Sequence, residues 1–212
     1  MNDLVSVVIP TFGEPLWISR AVDSVLVQNY SPIEIIIVDN NGLSTKNQKL
    51  TNEIISKYMR EYNNIKYIAH QANLNGAVAR NTGIRVAKGK YIGLLDDDDE
   101  YLPSKIYDQH KALVTNKRHV SYSSFLLIHD RKIVERKFSD KNRDMAQVLL
   151  LNEIEIPSTS LFFTKEAFNK IGGFDESFKR HQDWEFNIRL CREFDYLYID
   201  KVEFVKYVYK RN

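Results

Sequence analysis

The sequence is poor in cysteine, with Cys191 as the one thiol among 212 residues. A single cysteine excludes an internal disulfide and is typical of a protein from a reducing compartment. Its neighbours have the pattern of a helix, which favours a small buried side chain over a nucleophile. We therefore expect a cytoplasmic protein that uses no thiol chemistry.

The sequence also lacks a long hydrophobic run and an excess of charge of either sign. No stretch approaches the roughly 18 apolar residues of a membrane-spanning helix, and the N-terminus has no signal-peptide pattern. The formal net charge is +2, so no global field indicates nucleic-acid binding. Basic residues cluster at 137–143 and at Lys210-Arg211. A solvated face or tail is the simpler interpretation, and peripheral association with the cytoplasmic face of an anionic membrane is the alternative.

Two glycine-rich phosphate-binding motifs are absent. Thr11-Phe12-Gly13-Glu14 follows the first strand pattern, where a dinucleotide-binding fold would carry G-x-G-x-x-G. No P-loop occurs either. A phosphate group would therefore have to be held mainly by a metal ion and side chains.

Alternating strand and helix patterns predict an α/β fold. Apolar, largely β-branched runs at 5–9, 33–38, 65–69 and 91–95 alternate with helix patterns at about 16–28, 45–62 and 76–87. This order predicts an open, mostly parallel sheet with helices on both faces. The last third predicts a smaller mixed sheet, with helices at 104–116 and 182–194 and strands at 120–128, 133–138, 158–163, 196–199 and 202–209. We expect one domain over residues 1–212.

The most informative motif is the acidic run Asp96–Asp99, which follows the apolar pattern Tyr91–Leu95. Carboxylates about 4 Å apart repel by roughly 4 kcal/mol at a partly desolvated site. A solvated acidic loop would avoid this cost, but apolar residues on both sides anchor the run. We favour a site for a hard divalent cation, which prefers carboxylate oxygens and leaves positions for a phosphate. Ligands of open α/β sheets bind beyond the carboxyl ends of the strands, where this run would meet Pro10-Thr11 and Asp39-Asn40.

Six ordered segments together resemble the family-2 inverting glycosyltransferases with the GT-A fold. They are Ser6–Thr11, Ile35–Asp39, Asn75–Gly83, Leu94–Asp99, Gly172–Glu176 and Gln182–Glu185. The likeness covers nearly the whole chain, and the ordered set is far more specific than the acidic run alone. It implies a GT-A-like, Rossmann-type sheet. It also implies that residues 1–99 bind the nucleotide-sugar and that residues 100–212 bind the acceptor.

The resemblance implies a donor site built from strand ends. Pro10, Thr11 and Glu14 would line the pocket for the nucleotide base. Asp39 would accept a hydrogen bond from the base, with a turn-forming role as the alternative. Arg80 would reach the diphosphate, which a guanidinium suits through paired donors.

In the same resemblance, Asp96 and Asp98 form the D-x-D pair. Asp98 would bind Mg²⁺ or Mn²⁺ directly, while Asp96 would contact the ribose or a water on the metal. Asp97 is counted with the donor-binding residues. Because alternate residues at a strand end face opposite sides, Asp97 and Asp99 would point away or support the pair through hydrogen bonds.

The resemblance also implies a catalytic base and an acceptor site. Asp183 would take the proton of the acceptor hydroxyl, and it would also suit a helix N-terminus. Trp184 would stack on a sugar or pack in the core. Glu185 is a weaker candidate for the same proton. Ser158 and Thr159, with Ser160, would contact acceptor hydroxyls.

The function expected from these residues is metal-dependent, inverting transfer from a nucleotide-sugar. The donor would be a UDP-sugar and the acceptor a hydroxyl of a carbohydrate or lipid-linked glycan in glycan or polysaccharide biosynthesis. A non-catalytic nucleotide-sugar-binding module is the alternative. A sugar nucleotidyltransferase is disfavoured, because Thr11-Phe12-Gly13-Glu14 is not a glycine-rich phosphate loop.

Overall fold

A computed structural model of the protein describes residues 2–129, 132–137, 145–151 and 154–208. Its first part alternates strands and helices: β1 (Val5–Thr11), α1 (Ile18–Leu26), β2 (Ile33–Asp39), α2 (Lys46–Glu61), β3 (Ile65–Ala69), α3 (Gly76–Val86) and β4 (Tyr91–Leu94). Its second part contains β5 (Glu100–Tyr101), α4 (Lys105–Asn116), β6 (Val120–His129), β7 (Lys132–Arg136), α5 (Met145–Leu150), β8 (Phe162–Thr164), α6 (Lys165–Ile171), α7 (Gln182–Glu193) and β9 (Tyr196–Val208). The predicted α/β architecture is confirmed.

The first four long strands run parallel, as the sequence predicts. β1 pairs with β2 and β4, and β2 pairs with β3. Val7 and Val8 point to opposite faces of the sheet and both are fully buried, because both faces are covered. Pro10 continues β1 beyond the predicted end at Ile9. It lies past the last residue that pairs with β4, so its missing N–H costs no bond on that side.

The C-terminal strands extend the same sheet. The strand order is β3-β2-β1-β4-β8-β6-β9-β5, and β7 pairs with β6 outside this path. β8 is antiparallel to both β4 and β6, and it thereby joins the predicted parallel and mixed parts. The mixed part is therefore continuous with the parallel strands in one nine-stranded sheet.

Several predicted elements of the second part have different bounds. Residues 158–163, predicted as a strand, form a 3₁₀ turn at Ser158–Ser160 before β8 begins at Phe162. The strands predicted at 196–199 and 202–209 are one strand, β9, which ends at Val208; residue 209 lies outside the described residues. Neither α5 nor α6 was predicted.

Two fully buried ionisable side chains, Lys105 and Glu203, lie where α4 meets β9. The Lys105 ammonium donates to Gln109 Oε1 at 2.6 Å and to the Ser160 carbonyl at 3.2 Å. Ser104, the residue before α4, makes no side-chain hydrogen bond to the first turn of the helix, and its hydroxyl donates to Glu203 Oε2 at 3.2 Å. Burial raises the pKa of Glu203 to about 7 and lowers the pKa of Lys105 to about 7.

No helix among the described residues is both long enough and apolar enough to cross a bilayer. Of the two basic clusters, residues 138–143 and Lys210-Arg211 lie outside the described residues. Cys191 is half-buried on α7, and its thiol donates to the Ile188 carbonyl.

Candidate functional site

A cleft of about 650 Å³ opens at the carboxyl edge of the parallel strands. Residues from the ends of β1, β2 and β4, the start of α3 and the end of β9 form its walls. They are Pro10, Thr11, Phe12, Asn40, Asn73, Leu74, Asn75, Gly76, Ala79, Arg80, Asp96, Asp97, Asp98, Lys179 and Lys206. The predicted convergence of strand ends at one edge therefore produces a real cavity, large enough for a nucleotide-sized ligand.

The acidic run forms a turn shortly after the end of β4. The N–H of Asp99 donates to the carbonyl of Asp96 at 3.0 Å, which closes a four-residue turn. The alternation of a strand therefore does not apply, and Asp96, Asp97 and Asp98 all line the cleft. Asp99 is fully buried beneath them.

Two of these carboxylates are oriented by residues of the predicted donor site. Arg80 Nη2 donates to Asp96 Oδ1 at 2.6 Å, and both side chains are largely buried. The Thr11 hydroxyl donates to Asp97 Oδ2. Thus the structure brings Thr11, Arg80 and the acidic turn together, as the sequence predicts.

The buried carboxylate of Asp99 fixes the turn from below. Its Oδ2 accepts from the Thr159 hydroxyl at 2.8 Å, and its Oδ1 accepts from the backbone N–H of Tyr207 at 3.1 Å. Burial raises the pKa of Asp99 to about 7; Lys206 opposes the shift, while Asp96 and Asp98 add to it.

The 3₁₀ turn lies under the acidic turn and not on an open acceptor surface. Ser158, Thr159 and Ser160 are each at most 2% exposed. The Thr159 hydroxyl also accepts the N–H of Asp96, and the Ser160 hydroxyl donates to the Ser123 carbonyl. In this structure the hydroxyls of Thr159 and Ser160 serve the protein's own hydrogen bonds.

Arg20, on α1, was missed by the sequence analysis. Its guanidinium donates to the backbone carbonyl of Asp98, lies 3.6 Å from Glu100 Oε2 and stacks 3.7 Å from the centroid of the Tyr207 ring. These contacts tie α1, the acidic turn and β9 together. An arginine at a helical position with no neighbouring motif gives no sequence signal for such a role.

Lys206, on β9, is the second residue that sequence analysis missed. It is half-buried and lines the cleft. Burial alone would lower the pKa of Lys206, but the carboxylates of Asp99, Asp96, Glu155 and Asp98 raise it. A charged lysine therefore faces the acidic turn.

Asp39 and Glu14 do not line the cleft. Asp39 is fully buried; its Oδ2 accepts from the Tyr67 hydroxyl at 2.6 Å and its Oδ1 from the N–H of Asn41 at 2.9 Å. This is the turn-forming geometry that was the alternative for Asp39. Asn40, the next residue, lines the cleft instead, and Glu14 is exposed.

The segment Asn75–Gly83 holds α3 against the sheet and against the Gly172–Glu176 loop. A Cβ on Gly83 would lie 2.4 Å from Val8 Cγ1, so a glycine is required for α3 to pack this closely. Asn81 donates to the Phe174 carbonyl and accepts the Phe174 N–H, both at 2.9 Å. Two of the sequence motifs therefore act as one structural unit that positions Arg80.

The predicted base, Asp183, lies half-buried in the first turn of α7. It is not among the residues that line the cleft, but its neighbour Gln182 is close to the wall. Gln182 Oε1 lies 2.8 Å from where a Cβ on Gly76 would be. Trp184 is half-buried, with its ring 6.2 Å from that of His181.

Glu185 forms a bidentate ion pair with Arg189 one turn along α7. Arg189 also donates to the carbonyls of Ile171 and Gly173, each at 2.7 Å. Glu185 therefore anchors the Gly172-Gly173 turn, and the ion pair raises the pKa of Arg189.

The cleft carboxylates suit a hard divalent cation that is shared with a phosphate ligand. Within the described ranges, no group of three or more histidine, cysteine, aspartate or glutamate side chains is arranged to hold a metal ion by itself. Mg²⁺ and Mn²⁺ sites of this kind use one or two carboxylates and complete their coordination with phosphate oxygens and water. Both Asp96 and Asp98 lie on the wall of the cleft.

Comparison with known proteins identifies related sequences. The model of the family "Glycosyl transferase family 2" matches residues 6–172. The chain is 29% identical over 197 residues to an uncharacterized glycosyltransferase of Methanocaldococcus jannaschii, covering 91% of this chain and 66% of that protein. It is 32% identical over 193 residues to the amylovoran biosynthesis glycosyltransferase AmsB of Erwinia amylovora, covering 87% of this chain and 62% of that protein. The chain thus spans about two thirds of these relatives or less.

Solved structures share the fold. TarS of S. aureus in complex with UDP-GlcNAc has a TM-score of 0.80 at 18% identity, covering 98% of this chain and 59% of that one. The mannosyltransferase PcManGT of Pyrobaculum calidifontis, in complex with GDP-Man and Mn²⁺, has a TM-score of 0.73 at 19% identity, covering 98% of this chain and 57% of that one.

Proposed function

Because this chain belongs to glycosyl transferase family 2, we propose that it transfers a sugar from a UDP-sugar to an acceptor hydroxyl with the help of Mg²⁺ or Mn²⁺. The observation that carries the proposal is the convergence of Arg80 and three aspartates, Asp96 to Asp98, on the walls of one cleft at the carboxyl edge of the sheet. Structural neighbours with UDP-GlcNAc or with GDP-Man and Mn²⁺ support a nucleotide-sugar as the donor class.

Different residues of the cleft would bind different parts of the donor. Asp98 and Asp96 would hold the cation, and the cation would act as a Lewis acid that stabilises the departing diphosphate. Arg80, held by Asp96, would place its remaining N–H donors toward the phosphates. Phe12 and Asn40 lie at the end of the cleft formed by β1 and β2, where the base would fit.

Inversion at the anomeric carbon requires a base on the acceptor side. In the proposed step, the acceptor oxygen forms a bond to the anomeric carbon while the bond to the diphosphate oxygen breaks. The proton of the hydroxyl passes to the carboxylate of Asp183, and the bonding electrons leave with the nucleoside diphosphate. The position of Asp183 beside Gln182, at the cleft wall, supports this assignment.

The acceptor is proposed to be a hydroxyl of a carbohydrate or a lipid-linked glycan. AmsB, which is named for amylovoran biosynthesis, supports polysaccharide formation as the process. Residues 100–212 would contribute most of the acceptor surface, and residues 1–99 most of the donor surface. The reaction would take place in the cytoplasm or at the cytoplasmic face of a membrane.

A non-catalytic nucleotide-sugar-binding module is the second candidate. One observation favours it: Asp183 does not line the cleft that contains the aspartates. Incubation with a panel of UDP-sugars and GDP-mannose, with Mn²⁺ or Mg²⁺, tests both functions through the release of nucleoside diphosphate. Slow release that requires the cation supports the transferase. Tight UDP binding without release from any donor, in the presence of a range of glycan acceptors, would support the module.

A further inference from the structure

Lys206 is a cationic side chain in the cleft without a partner of its own. Within the described part of the chain, the Lys206 ammonium forms no ion pair and no hydrogen bond. Of the other two basic residues that line the cleft, Lys179 is exposed and Arg80 is paired with Asp96 at 2.6 Å. On the same strand, Lys201 is paired with Asp108. Unlike Arg80 and Lys201, Lys206 therefore has a charged group that forms no ion pair with a carboxylate.

The location of Lys206 is costly for an unpaired charge. Its side chain is half-buried, and desolvation disfavours an ammonium group. The carboxylates of Asp99, Asp96, Glu155 and Asp98 offset this cost, and three of the four belong to the acidic turn. The ammonium is thus kept charged by carboxylates that do not bind it directly.

The negative charge of the acidic turn would be neutralised when a donor binds together with its cation. A divalent cation held by Asp96 and Asp98 would cancel their charge, and the donor would add the negative charge of a diphosphate. Lys206 would then face phosphate oxygens. Lysine is a compact point charge with three donors, which suits a phosphate whose charge grows during the reaction.

We propose that Lys206 binds a phosphate of the donor and stabilises the charge that develops on the leaving nucleoside diphosphate. The inference rests on the proposed function, because it takes the cleft to be the donor site. It adds a residue from β9 to a phosphate site otherwise built from β4 and α3. Strand β9 would thereby take part in donor binding as well as in the sheet.

Binding of UDP, uridine and pyrophosphate, each with Mn²⁺, tests the assignment by titration calorimetry. Lys206→Met keeps the length of the side chain and removes its charge. We expect about 10- to 100-fold weaker binding of UDP and pyrophosphate, as for loss of a charged hydrogen bond, and about unchanged binding of uridine. Lys206→Arg should restore most of the UDP affinity. The control Lys66→Met removes an exposed lysine of β3 and should bind UDP as the wild type does.

The failures of the two proposals are distinguishable. If the wild type binds neither UDP, GDP nor pyrophosphate with Mn²⁺, the donor site itself is wrong, and the role of Lys206 is wrong with it. If the wild type binds UDP and Lys206→Met binds it equally well, the role of Lys206 is overturned while the donor site stands.

A measurement on the unaltered protein covers the case in which Lys206→Met does not fold. Lysines can be modified with an amine-reactive reagent with and without UDP and Mn²⁺, and the sites quantified by mass spectrometry. We expect UDP to protect Lys206 several-fold and to leave Lys66 unaffected. Equal modification of Lys206 at saturating UDP would overturn the proposal.

Discussion

The hydroxyl of Thr159 donates a 2.8 Å hydrogen bond to Asp99, so that the last carboxylate of the acidic run is held by a residue sixty positions later in the chain. Both side chains are fully buried. The same hydroxyl accepts the N–H of Asp96, the first residue of the run. Thr159 therefore fixes both ends of the turn that carries the cleft carboxylates.

Loss of the Thr159 hydroxyl should destabilise the protein. Thr159→Val conserves the shape of the side chain but leaves a buried carboxyl and a backbone N–H without this partner, which costs about 1–3 kcal/mol. The free energy of unfolding, measured by urea denaturation, checks the value. Thr159→Ser retains the hydroxyl and should lose less than half as much. Equal losses in the two variants would show that the methyl group, and not the hydrogen bond, is what matters.

Removal of the Asp98 carboxylate should abolish the metal-dependent part of UDP binding and leave the metal-independent part. Asp98→Ala is expected to abolish the increase in UDP affinity that Mn²⁺ produces, because one of two proposed metal ligands is lost. UDP titrations with Mn²⁺ and with EDTA measure this increase. Glu61→Ala, an exposed site on α2, is the control. Retention of the full Mn²⁺ effect in Asp98→Ala would contradict the metal assignment.

Neutralisation of Asp183 should affect chemistry and spare binding. Asp183→Asn keeps the size of the side chain and removes its basicity, so transfer should fall by about 100-fold or more while UDP affinity is unchanged. A donor-turnover assay, paired with UDP titration, checks both. Full transfer rates in Asp183→Asn would make the base assignment wrong.

The Glu185–Arg189 pair should act on stability more than on transfer. Glu185→Gln loses the charge that holds Arg189, and we expect a loss of about 1–2 kcal/mol in unfolding free energy. Arg189→Gln removes the other half of the pair. Since the two residues form one network, the double variant should be clearly less destabilised than the sum of the single variants. A large fall in transfer by Glu185→Gln with unchanged stability would instead favour an acceptor-site role.

The free energy of unfolding should depend on pH through the protonation of Glu203. Its pKa is raised from 4.5 to about 7 in the folded protein. The folded state therefore binds this proton more tightly than the unfolded state, and the stabilisation present at low pH is lost as the pH rises from about 4.5 to 7.

The variant Glu203→Gln has no carboxyl proton to lose at this position. The stability of the wild type relative to Glu203→Gln should decline through that window, as measured by urea denaturation at several pH values. A constant difference would contradict the raised pKa, and Glu61→Gln serves as the exposed control.

The parallel half of the fold could be predicted because its signals are local. Each strand from β1 to β4 is a continuous apolar run, and the helices between them have a clear period, so order and direction follow. The second half depends on contacts distant in sequence. Thr159 lies in a segment whose apolar residues suit a strand, and the bonds to Asp96 and Asp99 hold it as a 3₁₀ turn instead.

Some residues of the candidate site could likewise be predicted from the sequence, and others could not. Thr11 and the acidic turn were predicted because they follow strand patterns, and Arg80, which lies on α3, was predicted from the family resemblance. The inward orientation of Asp39 could not be predicted, since it depends on the hydroxyl of Tyr67 from the neighbouring strand. Arg20 and Lys206 were missed because each is an isolated basic residue whose partners lie far away in the sequence.

The hydrogen bond from the Tyr207 N–H to Asp99 has a practical consequence for protein engineering. Because the donor is a backbone N–H, proline is the one substitution at position 207 that would remove this bond to the acidic turn. Other side chains can be introduced there without removing the donor, provided that the backbone of β9 is kept.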